Sequence, residues 1–175
     1  MLALVMMLTL GACGGAKEKP AEGGEEATQS ETTETESTEA SESGGSAVDL
    51  AALSSQLKSE NNISDSVDLT SDAIVKGYGV SADQIKSAAG FSASSGAAFP
   101  EEIVMVEAVD ETAAADVKTK MDEHLKSIAD QAASYDPDSL ELAENCTVVQ
   151  DGVYVGMFFT QNYDAMVSSF QNALG

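Results

Sequence analysis

The 175 residues include eight lysines, no arginine and 30 acidic side chains, giving a net charge of -22 at neutral pH. Lacking arginine, the chain lacks the residue suited to bidentate phosphate or carboxylate recognition, and its charge argues against nucleic acid and anionic lipid headgroups as partners, because binding either rests on clustered positive charge. One histidine and two cysteines are too few ligands for an ordinary zinc site.

Residues 1–12 read as a lipoprotein signal peptide. Leu2, Leu4, Val5, Met6, Met7, Leu8 and Leu10 form an apolar run, and Gly11 and Ala12 are small enough for a signal peptidase site before Cys13. The run is too short to span a bilayer, which takes about 20 residues. Leu10-Gly11-Ala12-Cys13 resembles a bacterial lipobox. The mature chain is therefore expected to begin at a lipidated Cys13, anchored on the extracytoplasmic face of the cell membrane, where two acyl chains meet the condition for stable attachment. A secretory leader normally opens with positive charge, and no lysine precedes this apolar run, so the start is expected to lie upstream of Met1.

Residues 13–47 are expected to form the lipidated N-terminus and a disordered tether. Between 14 and 46 there are nine Glu and two Lys, with no aromatic or large aliphatic residue. Such a segment cannot bury enough apolar surface to offset its chain entropy. As a flexible coil its ends would lie about 30 Å apart.

Residues 48–175 read as a single domain, large enough to bury a core without disulfides or metals. With Cys13 lipidated, Cys146 has no partner and reads as a small buried residue of a strand. A first helix is predicted from the capping spacing Ser46-Ala47-Val48-Asp49, with Leu50, Leu53 and Leu57 as its stripe and an end near Asn61-Asn62. A second short helix is predicted over 70–76, stopping at Gly77-Tyr78-Gly79. The box Ser81-Ala82-Asp83-Gln84 predicts a further short helix ending by Gly90, followed by a weakly alternating strand over 91–98. The β-branched run 103–109 predicts a central strand covered on both faces. Asp110 then caps a long helix whose Val117, Met121, Leu125, Ile128 and Ala132 recur at helical spacing, with Tyr135-Asp136-Pro137 as its stop. A turn around 138–143 leads to strands at 146–149 and 153–160, joined at Asp151-Gly152 as a hairpin. Phe158 and Phe159 must face opposite ways in such a strand. A C-terminal helix from Tyr163 presents Met166, Val167, Phe170 and Leu174. The expected class is α+β: short N-terminal helices, then about four strands in an antiparallel or mixed sheet covered by the long middle helix and the C-terminal helix.

Tyr78-Gly79-Val80, Glu101-Glu102-Ile103-Val104 at a strand start, Asp116-Val117-Lys118, Tyr135-Asp136-Pro137 and Gly152-Val153-Tyr154-Val155 together resemble the bacterial domain-of-unknown-function family numbered 4358, over roughly residues 67–170. The resemblance implies a lipoprotein of monoderm bacteria and carries no assigned activity, substrate or catalytic residue. It also implies a basic residue, often arginine, near the position of His124, and this chain has no arginine.

The chemistry-bearing residues favour no enzyme class. His124 falls at the edge of the helical stripe and reads as structural. Serines are plentiful but none sits in a nucleophile elbow, and Ser94-Ser95-Gly96 reads as strand or turn. Glu101 with Glu102, Asp136 with Asp138, and Glu141 with Glu144 are the carboxylate pairs available for acid–base work, and in so acidic a domain they read as solvated surface. Asp136-Pro137-Asp138-Ser139 lacks the ligand alternation and central Gly of a calcium loop. No catalytic, metal or cofactor residue is assigned, and the site assigned is lipidation at Cys13. The expected function is a non-enzymatic binding or adaptor module at the cell envelope, with the membrane and an envelope protein as partners. The alternatives are a small-ligand or cation receptor and, behind it, a carboxylate-based hydrolase.

Overall fold

The computed structural model describes residues 47–94 and 98–175. Cys13, the signal peptide and residues 13–46 of the tether lie outside the described residues, as do Ser46, Ser95 and Gly96.

The elements run α1 (Leu50–Glu60), β1 (Ser66–Leu69), α2 (Ser71–Tyr78), a 3-10 turn (Ala82–Gln84), β2 (Ile85–Ala93), β3 (Glu101–Ala108), α3 (Glu111–Ala132), α4 (Pro137–Asn145), β4 (Val149–Asp151), β5 (Tyr154–Phe159) and α5 (Tyr163–Leu174). The strands form one antiparallel sheet in the order β1-β2-β3-β5-β4, with β3 at its centre. This is the expected α+β class, with five strands rather than about four. Helices cover both faces, and no described helix is long and apolar enough to cross a membrane.

Alternation along the strands divides the core. Val104, Val106 and Ala108 of β3 join Val155, Met157 and Phe159 of β5 beneath α2, α3 and α4. Ile103 and Met105 join Ala89, Phe91, Ala93 and Phe158 beneath α1 and α5. Phe158 and Phe159 thus enter opposite cores, as a period of two requires. Phe158 meets Phe170 of α5 at 5.4 Å between ring centroids, a tilted pair of the favoured aromatic geometry. The middle of β2 lies tight against β3, and a Cβ added at Gly90 would overlap the Ile103 carbonyl oxygen.

Local signals hold where one helix decides them. Asp110 accepts a hydrogen bond from the Ala113 amide and caps α3, whose buried stripe includes Val117, Met121, Leu125, Ile128 and Ala132. Thr70 caps α2, and Gly79 ends it with φ +66.

Five expectations are corrected. The cap of α1 is Asp49, whose side chain accepts from the Ala51 and Ala52 amides, so the start lies three residues past Ser46. The Ser81 box is present but closes only a single 3-10 turn, and residues 85–90 are strand, because pairing with β3 overrides the helix propensity of Ala88 and Ala89. Strand β1 had no sequence signal. α3 gives way at Ala133, and Asp136-Pro137 opens α4 where a turn was expected; proline at the first helical position lacks only an amide that would be unpaired there anyway. Cys146 follows α4 as its C-cap rather than sitting in a strand, and β4 begins at Val149. The hairpin itself is present, but its two loop residues are Gly152 and Val153, and only Gly152 has positive φ, at +54. That is the pattern of a turn with glycine at the first central position.

Candidate functional site

The β3 residues Glu101 and Glu102 stand at the same end of the sheet, but adjacent strand residues point to opposite faces, so the two carboxylates do not converge. Glu101 Oε1 accepts from the Gln161 amide at 3.1 Å and ties the start of β3 to the turn after β5. Glu102 turns toward α2 and α3. Its Oε2 accepts from the Tyr78 hydroxyl at 3.0 Å and from His124 Nε2 at 2.8 Å. The Tyr78 and His124 rings lie 4.5 Å apart, centroid to centroid, so the three side chains form one cluster joining α2, β3 and α3. Burial, reinforced by the Glu102 charge and hydrogen bond, holds the Tyr78 hydroxyl well above its ordinary pKa of 10.0. His124 therefore has a polar partner in Glu102 and an aromatic neighbour in Tyr78. Two of these residues, Tyr78 and Glu102, stand in the motifs quoted above, though nothing local in the sequence shows that they meet.

A second feature lies between one side of α4, along its length to Cys146, and the first turn of α5. It is an open trough of about 840 Å³ whose lining includes Asp138, Glu141, Asn145, Cys146, Thr160 and Asp164. A smaller depression of about 310 Å³ adjoins it, sharing Asp138, Leu142 and Gln161 and reaching Phe99. Phe99 stacks on the exposed ring of Tyr135 at 6.1 Å. Asp138, Glu141 and Asp164 are exposed, and no lysine is found in either lining. Asp136 serves the fold: its carboxylate accepts from the Ser139 amide at 3.2 Å and the Ser139 hydroxyl at 2.8 Å, capping α4. Asp136 and Asp138 both line the smaller depression, with Glu101; Asp136 is engaged as the cap, whereas Asp138 is exposed. Glu141 lines the trough, whereas Glu144 is exposed and is not part of its lining. Asp164, Asn162 and Gln161 were not anticipated, because only the tertiary structure places them with Glu141 around one trough.

Cys146 is buried at the trough's base, with its thiol directed at the Thr160 carbonyl oxygen 3.8 Å away. Burial pushes the thiol pKa up, and the nearby Glu101 charge adds to the rise. Both effects oppose the thiolate that a nucleophile or metal ligand requires. Among the described residues no three His, Cys, Asp or Glu side chains are arranged to hold a metal ion.

No curated protein and no solved structure matches the chain. The family described as Domain of unknown function (DUF4358) matches residues 59–160, more than half of the sequence, and the chain belongs to that family.

Proposed function

We propose that the protein is a membrane-anchored extracytoplasmic lipoprotein, held by acyl chains on Cys13, whose α+β domain is a non-enzymatic binding or adaptor module for an envelope protein. The observation that carries this reading is the order of segments in one chain: Leu10-Gly11-Ala12-Cys13, an acidic spacer without large apolar residues, then a domain. Two features of the domain support it. Among the described residues its helices cover both sheet faces using residues from Val48 onward. Three of the carboxylates available for catalysis are engaged in the fold: Glu101 ties β3 to the turn after β5, Glu102 ties β3 to α2 and α3, and Asp136 caps α4. The exposed large apolar side chains among the described residues are Val67, Val109 and Tyr135, on separate segments, so the contact surface in this reading is polar.

The test is a crosslinked, detergent-solubilised pull-down from native membranes, with Cys13→Ala as control and mass spectrometry of the N-terminal peptide. A diacylated Cys13 and a stoichiometric partner lost in the control are the expected results. An unmodified Cys13 overturns the anchor, and an empty pull-down overturns the adaptor.

The trough favours a second reading, a receptor for a small cationic ligand, because Asp138, Glu141 and Asp164 wall it without a lysine. A small amine should then raise the melting temperature of the domain, and Asp138→Asn with Glu141→Gln should abolish the rise. An unchanged melting temperature across a panel of small amines removes this reading.

A further inference from the structure

We draw no further inference here: the strongest candidate, the trough between α4 and the first turn of α5, belongs to the site already described and rests on an acidic cluster and a lone cysteine, with no second observation that points to a ligand.

Discussion

The two faces of the sheet are closed in different ways. Beneath α2, α3 and α4 a long apolar stripe is supplemented by a polar junction, where Tyr78 and His124 converge on one oxygen of Glu102. Beneath α1 and α5 the centre is filled by Phe91, Phe158 and Phe170 with Leu50, Leu53 and Leu57 around them. Directional bonds fix the position of a helix, whereas apolar burial supplies more free energy and less orientation. The family match follows the same division. Residues 59–160 contain all five strands with α2, α3 and α4, but only the last two residues of α1 and none of α5.

The sharpest break in that comparison should come from Phe170→Ala. It removes a fully buried ring from the aromatic face and should cost about 3–5 kcal/mol, read by urea denaturation. Hydrogen exchange should show α5 amides losing protection first, with α3 amides least affected; equal loss on both faces would mean that the cores are not separable. On the other face, Glu102→Ala leaves the Tyr78 hydroxyl and His124 without their common acceptor and should cost about 1–3 kcal/mol. Glu102→Gln retains an acceptor oxygen and should cost less. If the two variants prove equally destabilised, charge rather than hydrogen bonding holds the junction.

A pH experiment sharpens the same contrast. The Tyr78 pKa is raised in the folded protein, so above the ordinary value of 10.0 the folded state retains a proton that the unfolded chain releases. The stabilisation is complete below pH 10 and is lost as pH rises toward the folded value. Wild type should therefore lose stability between pH 10 and 12 more steeply than Tyr78→Phe, which lacks the titrating group. Parallel curves would show that Tyr78 ionises as freely in the fold as in the open chain. The smallest effect is expected at the caps, one on each face. Asp49→Ala in α1 and Asp110→Ala in α3 should each cost about 1 kcal/mol by thermal denaturation. A larger loss at Asp110 would mean that the helix on the α3 face contributes more to stability than the one on the α1 face.

The legible part of the fold was the part governed by one period at a time. α3, α5, the central β3 and the opposed Phe158 and Phe159 follow from recurrence at helical or strand spacing. The candidate site was far less legible. Glu101, Asp136, Glu141 and Cys146 could be named from composition, but not which would cap a helix, wall a trough or lie buried, since those roles depend on partners distant in the chain. Tyr135-Asp136-Pro137 shows the ambiguity within a single motif, since the same proline that marks a stop can occupy the first position of the next helix.

By itself the sequence determined the α+β class, the long middle helix and the acidic character, because composition and periodicity are local properties of the chain. The tertiary structure alone decided that 66–69 and 85–90 are strands, that 137–145 is a helix, and that Tyr78, Glu102 and His124 meet. A short edge strand has no identity until a neighbour supplies its hydrogen bonds, and a hydrogen bond between side chains 22 or 24 residues apart exists only when the packing of α2 and α3 on β3 brings its ends together.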